Sequence, residues 1–135
     1  MHKSNRAVGN AFEQELCELL FGYGFWSHNM TQNNSGQPAD VIAVRNKVAH
    51  LIDAKDCSSK GFDLRRIEEN QITAMQLWHE CGNGQGWFAL RVDNEVYMLS
   101  YPAIMMFKQG KRSSIPSTEI PKIAKPLREW VERCE

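Results

Sequence analysis

Three features that mark other protein classes are missing from this sequence. No apolar run approaches the ~20 residues that cross a bilayer, and residues 1–6 lack the apolar core of a signal peptide. The four cysteines form no C-x-x-C pair and lack the clustered spacing of an iron–sulfur site. The sequence therefore predicts a cytoplasmic protein with reduced thiols and no membrane partner.

An excess of charge of one sign is also missing. Sixteen basic and sixteen acidic residues cancel, so the net charge does not by itself indicate a nucleic-acid partner. Residues 103–135 carry a local excess of seven basic over four acidic residues. With 135 residues, 42% of them hydrophobic and 24% charged, the chain is predicted to form one globular domain over residues 1–135.

Hydrophobic periodicity gives the order of the elements. Helical spacing covers residues 7–21 and 65–81, shorter helices are predicted at Tyr101–Lys108 and Pro126–Cys134, and residues 27–37 are predicted to form a polar loop. Two hairpins with two-residue turns are predicted from four strands, Val41–Arg45, Val48–Lys55, Trp87–Val92 and Glu95–Ser100. The order α-β-β-α-β-β-α predicts a mixed α/β (α+β) fold, with helices against a central mixed sheet.

Two acids and a lysine stand out in the first hairpin. If Asn46-Lys47 is a two-residue turn, Asp40 lies opposite Asp53, with Cβ atoms ~4.5–5.5 Å apart. Lys55 shares the face of Asp53 because side chains alternate along a strand. Two carboxylates this close repel unless one is protonated or a cation lies between them. The alternative is structural: an Asp53–Lys55 ion pair at a strand end, with Asp40 capping the entry to the hairpin.

Two further polar residues lie on apolar helix stripes. Gln71 falls within the predicted stripe of residues 67–81, where it is either a core glutamine bonded to backbone or an amide directed at the acids. Glu13 lies at one edge of the first helix's stripe and Glu15 about as far off the other edge. The helical wheel does not choose between them, and either could be a solvated acid.

Glu13, Asp40, Asp53-Ala54-Lys55 and Gln71 together resemble the E…D…(D/E)-x-K…Q signature of the PD-(D/E)XK nuclease superfamily, and within it the RecU-type Holliday junction resolvases. The resemblance covers about residues 5–116. It also rests on Asn5-Arg6, Phe62-Asp63-Leu64, Asn70-Gln71-Ile72, Trp87-Phe88-Ala89-Leu90 and Glu95-Val96-Tyr97-Met98-Leu99. Aspartate replaces the family's usual glutamate at Asp53, and the loop at 27–37 replaces the family's longer stalk.

The resemblance implies a restriction-endonuclease-like fold and a metal-dependent mechanism. Mg²⁺ or Mn²⁺ would be held by Asp40, Asp53 and the Ala54 carbonyl, with Glu13 acting through a water. Lys55 would orient or deprotonate the attacking water, and Gln71 would position Lys55 or that water. Candidate contacts to DNA phosphates, which could equally form a solvated charged face, are Lys3, Arg6, Lys60, Arg65 and Arg66.

The resulting prediction is a metal-dependent endodeoxyribonuclease that cleaves branched DNA, Holliday junctions above all, in recombination and repair. A homodimer is predicted because symmetric resolution needs two active sites and this chain offers one. Three alternatives stay open: a nuclease of the same superfamily acting on flaps or a specific duplex site, a non-catalytic DNA-binding recombination accessory protein, and a structural or interaction domain.

Overall fold

The computed structural model describes residues 5–30, 39–57 and 60–134, and among these it describes side chains from residue 11 onward. In chain order the elements are α1 (Asn5–Gly22), β1 (Trp26–Asn29), β2 (Val41–Arg45), β3 (Val48–Asp56), β4 (Phe62–Asp63), a 3-10 turn (Leu64–Arg66), α2 (Glu69–Glu80), β5 (Trp87–Val92), β6 (Glu95–Ser100), α3 (Tyr101–Gln109), β7 (Ser114–Ile115), α4 (Ile120–Ile123), β8 (Lys125–Pro126) and α5 (Leu127–Arg133).

A six-stranded mixed sheet organises the molecule. Its strand order is β1-β2-β3-β5-β6-β8, and the β3–β5 pair is parallel while every other neighbouring pair is antiparallel. Strands β4 and β7 form a separate two-stranded sheet. The predicted central mixed sheet with flanking helices is therefore confirmed.

Apolar side chains form one cluster on each face of the sheet. One cluster contains the buried stripe of α1, with Phe12, Leu16 and Leu20 at i, i+4 and i+8, together with Trp130 of α5. The other contains Met75 of α2 and the buried residues of α3 and α4. Strand β3 contributes to both clusters, so the strand that carries the candidate site is covered on both faces.

Both predicted hairpins form about their predicted turns. Asn46 and Lys47 have φ values of 53° and 68°, and Asp93 and Asn94 have 50° and 69°, as two-residue type I′ turns require. The predicted register of the first hairpin is confirmed from Arg45↔Val48 to Val41↔Ile52. It does not extend to Asp40, whose N–H donates to the Ile52 carbonyl at 3.1 Å, one residue short of Asp53.

Two predicted segments differ in the structure. The predicted polar loop of residues 27–37 begins with most of β1, an edge strand paired with β2, while residues 31–37 lie outside the described part of the chain. The polar sequence of β1 lacks the alternation of apolar residues that would predict a strand. Its strand conformation depends on its pairing with β2. Residues 109–125, between the last two predicted helices, are predicted to be irregular because of Pro116 and Pro121. In the structure they contain β7, α4 and the first residue of β8.

The second long helix begins four residues later than predicted. Residues 64–66 form a 3-10 turn, and the Asp63 carboxylate accepts a hydrogen bond from the Arg65 N–H at its start. The buried residues of α2 are Gln71 and Met75, whereas Cys81, predicted to lie on the buried stripe, is exposed. Ile67 is buried but precedes α2. Among the helices of the described residues, none is long and apolar enough to cross a membrane.

Candidate active site

Four polar side chains are buried, unlike every other polar side chain that the structure describes. Among these described residues, the polar or charged side chains classed as buried are those of Glu13, Asp40, Asp53 and Gln71. Asp53 is 0% exposed, Glu13 is 5% exposed and Asp40 is 7% exposed. All four were selected from the sequence as candidate site residues. Burying a charge is costly unless it is paired, so these positions need a compensating partner.

Asp40 and the end of β3 are joined by direct contacts. The Ala54 N–H donates to Oδ2 of Asp40 at 2.8 Å, which holds this carboxylate against the peptide between Asp53 and Ala54. Nζ of Lys55 lies 3.3 Å from Oδ1 of Asp53, and the Lys55 side chain is 12% exposed. Neither oxygen of Asp53 receives a hydrogen bond of good geometry from the described residues. The Asp53 carboxyl is thus buried with one ammonium beside it and unused acceptor capacity.

The pKa values of two of these buried acids are raised. The pKa of Glu13 is raised to about 8, first by burial and then by the charge of Asp40 and a hydrogen bond with it, while Lys55 opposes the rise. Burial also raises the pKa of Asp53 well above its ordinary value; Lys55 opposes this rise and Asp40 adds to it. Glu13 and Asp53 therefore both interact with Asp40. The three acids cannot all ionise cheaply without additional positive charge.

The donor set fits a hard divalent cation. Carboxylates and main-chain carbonyls are oxygen ligands of the type that Mg²⁺ and Mn²⁺ take, and Mg²⁺ is commonly bound by one or two carboxylates with several waters. Asp40 and Asp53 supply two carboxylates next to the carbonyl of Ala54. Within the described ranges, no group of three or more His, Cys, Asp or Glu side chains is arranged to hold an ion. The fit therefore rests on two carboxylates, and the ligand roles stay a prediction.

Gln71 is buried at the first turn of α2 with a local hydrogen bond. Its Oε1 accepts the N–H of Glu68 at 3.0 Å, which caps the start of the helix. This bond is the backbone-bonded arrangement that the sequence left open as the structural alternative. The amide fixes the beginning of α2, and its predicted contact with Lys55 or a water stays a prediction.

The family follows from comparison with known proteins. The family model RecU, described as recombination protein U, matches residues 34–129, more than two-thirds of the chain. The chain belongs to the RecU family. This confirms the resemblance stated from the motifs, although the matched segment begins after α1. The comparison with curated proteins finds no significant match.

A solved structure shows the fold of this RecU-family chain independently. Hjc from Archaeoglobus fulgidus, a Holliday junction resolvase from an archaeal hyperthermophile, superposes with a TM-score of 0.70 at 15% sequence identity. The match covers 91% of this chain and 99% of that chain. The predicted restriction-endonuclease-like fold is therefore confirmed.

The predicted DNA-contacting cations of the RecU-family chain are in different situations. Lys60 is exposed; Arg65 is exposed but paired with Asp63 at 2.9 Å; and Arg66 donates from Nη1 to the Asp56 carbonyl at 3.0 Å. Lys3 lies outside the described residues. Arg6 belongs to α1, but its side chain is not among those described. These contacts do not test whether any of the five cations binds DNA, so their role stays a prediction.

A cluster of charges around Arg91 on β5 was not predicted from the sequence. Arg91 bonds Glu15 of α1 and, at 2.7 Å, Asp56 of β3. Glu15 thus forms an ion pair with Arg91, whereas Glu13 is buried near Asp40. This decides between the two acids of α1 that the helical wheel left open. A charged residue inside the apolar run Trp-Phe-Ala-Leu-Arg-Val of β5 was the available signal for this cluster.

Proposed function

We propose that this RecU-family chain is a Holliday junction resolvase that acts in recombination by cutting DNA as a metal-dependent endonuclease. Membership of the family supports the activity, and the fold of an archaeal resolvase supports the scaffold. The observation that carries the proposal is the fully buried carboxyl of Asp53, next to Asp40 and 3.3 Å from the Lys55 ammonium. We place the protein in the cytoplasm and treat residues 1–135 as one nuclease domain.

The carboxylates of Asp40 and Asp53, with the Ala54 carbonyl, would hold Mg²⁺ or Mn²⁺, and Glu13 would contact the ion through a water. When bound, such an ion polarises a phosphate oxygen and lowers the pKa of a coordinated water. The raised pKa values of Glu13 and Asp53 support this assignment, because a doubly charged cation would remove the repulsion that produces part of each rise.

Lys55 would act on the water and on the phosphate. Its ammonium is held beside Asp53 and is 12% exposed, so it is largely desolvated yet reachable from solvent. In that position Lys55 would orient the attacking water, or accept its proton when the side chain is a neutral amine. As an ammonium it would stabilise the negative charge that grows on the phosphate in the transition state. Gln71 would use its amide to position Lys55 or the water from the start of α2.

DNA binding would use the exposed cations near the site and a second copy of the chain. Lys60 lies between β3 and β4, Arg65 and Arg66 lie in the 3-10 turn after β4, and Lys3 and Arg6 belong to the N-terminal segment. Phosphate contacts from such residues would position the duplex arms without reading sequence. A junction has two opposed strands to cut, and each copy would contribute one site, so a homodimer is part of the proposal.

The test compares substrates and variants. The protein is incubated with Mg²⁺ and four-way, flap and linear duplex DNA, alongside Asp40→Ala, Lys55→Ala and the surface control Glu129→Gln. We expect selective cutting of the four-way junction by the wild type and the control, and none by the two site variants, which should still bind the junction.

Each other result has a definite meaning. Equal cutting of linear duplex or flap DNA would replace the resolvase with another nuclease of the same superfamily. Junction binding without cutting by the wild type would indicate an accessory protein. Cleavage that survives both Asp40→Ala and Lys55→Ala would overturn the assignment of the site.

A further inference from the structure

Arg91 connects the two elements that carry the candidate site. Its guanidinium bonds Glu15 of α1 through Nη1 and Oδ2 of Asp56 on β3 through Nη2, the latter at 2.7 Å. The guanidinium carbon also lies 4.8 Å from the centre of the Phe12 ring on α1. One side chain of β5 therefore holds a helix and a strand together.

The three residues that Arg91 contacts lie within two positions of site residues in the sequence. Phe12 precedes Glu13 and is fully buried, and Glu15 lies two positions after it. Asp56 directly follows Lys55. The main chain adds to the same connection, since the Cys57 N–H donates to the Arg91 carbonyl at 2.9 Å. Arg91 therefore contacts sequence neighbours of Glu13 on α1 and a sequence neighbour of Lys55 on β3.

We propose that Arg91 is a positioning residue that fixes the separation between Glu13 on α1 and Lys55 on β3. The inference rests on the proposed function, because it concerns the geometry of that same site. A guanidinium presents its donors in a rigid planar fork, so two carboxylates on different elements are held at a fixed spacing. The Arg91 side chain is 20% exposed and that of Asp56 is 11% exposed, so solvent screens their contact only partly.

The chain offers a matched control in Arg45. Arg45 also lies over a phenylalanine, with its guanidinium carbon 4.6 Å from the centre of the Phe25 ring. It donates to the carbonyls of Tyr23 and Val131 at 3.0 and 2.7 Å. Arg45 is the last residue of β2, and Asp40 lies at the other end of that strand. Within the described part of the chain, Arg45 contacts no residue that is adjacent to a site residue in the sequence. Loss of either arginine removes a comparable set of contacts.

The experiment measures cleavage, metal binding and stability for Arg91→Met, Arg91→Lys and Arg45→Met. With a four-way junction and saturating Mg²⁺, we expect Arg91→Met to lower kcat by about tenfold or more, because small displacements of reacting groups cost that much, with KM changed less than twofold. Arg91→Lys should recover part of the loss. Arg45→Met should keep kcat within about twofold of the wild type even where its melting temperature falls.

Binding of Mn²⁺ without DNA is the second readout. Calorimetry should show that Arg91→Met weakens Mn²⁺ binding several-fold and that Arg45→Met does not. This measurement still tests Arg91 if the wild type cuts no DNA, in which case the proposed function fails by itself. If Arg91→Met does not fold, Glu15→Gln removes one of the two carboxylate contacts at an exposed position and should lower kcat about threefold. Equal kcat and equal Mn²⁺ affinity in the Arg91 and Arg45 variants would overturn the proposal.

Discussion

The two hairpins of the central sheet have similar backbone conformations but bury different kinds of side chain. Both turn through two residues at positive φ, and their strands β3 and β5 pair in parallel, with Asp53 next to Phe88 in the register. Both residues are 0% exposed. Phe88 belongs to an apolar cluster, whereas Asp53 belongs to a group of acids with a lysine. Paired positions on similar backbones can therefore have different roles. The side chain decides whether a position contributes to the stability of the core or to the chemistry of the site.

Asp53→Asn should have the largest effect on activity. The variant keeps the size of the side chain but removes its charge, so cleavage of a four-way junction should fall by about 10³-fold or more, as when one member of a catalytic set is removed. The metal-free protein should melt at an equal or higher temperature, because a buried, crowded carboxyl has been neutralised. Retained cleavage would show that Asp53 has the structural role of its neighbour Phe88.

Phe88→Ala should show the opposite combination. Emptying this fully buried position should cost about 3–5 kcal/mol of unfolding free energy, measured by urea denaturation. The folded fraction should still cut DNA with a kcat within a few-fold of the wild type. A loss of cleavage as large as that of Asp53→Asn, in protein shown to be folded, would contradict the division between the hairpins.

The stability of the metal-free protein should decrease between about pH 4.5 and 8. In the folded state burial and Asp40 raise the pKa of Glu13 from 4.5 to about 8, so the folded protein keeps a proton that the unfolded chain has released. Unfolding becomes easier as pH rises through this window, by up to ~1.4 kcal/mol per pH unit for each such proton. The raised pKa of Asp53 acts in the same direction.

Chemical denaturation across pH, with and without Mg²⁺, checks this dependence. Glu13→Gln should flatten the profile, and Mg²⁺ should restore part of the stability near pH 8. The hairpin from Trp87 to Ser100, all of which the structure describes, has no buried acid. A profile that rises over this range, or one that Glu13→Gln leaves unchanged, would contradict the prediction.

The smallest effect concerns the shared turns. Lys47→Gly and Asn94→Gly each place glycine at a positive φ that other residues adopt at a cost, so each should raise the unfolding free energy by roughly 0.5–1 kcal/mol. Urea denaturation of the two variants should give similar gains with cleavage unchanged. Gains of opposite sign would show that the two backbones are less alike than their φ angles indicate.

The local parts of the fold and site could be predicted, and the non-local parts could not. The strands at Trp87–Val92 and Glu95–Ser100 follow from apolar composition and turn residues, and Asp40 and Asp53 stand out because they interrupt such a pattern. Strand β1 has no pattern of its own and exists through pairing with β2. A charge within the apolar run of β5 marks Arg91 itself, but its partners lie on two other elements that are distant in the sequence, so no pattern identified them.

The parallel β3–β5 pair also bears on how the chain folds. Each hairpin joins neighbouring residues through a short turn, whereas pairing β3 with β5 requires the whole segment containing α2 to close first. Closing longer loops costs more conformational entropy, so we expect this pairing to form late. Asp53 and Lys55 would then lie on a formed hairpin before Arg91 reaches Asp56. A newly made chain would therefore acquire the arrangement proposed for cleavage only after β3 and β5 have paired.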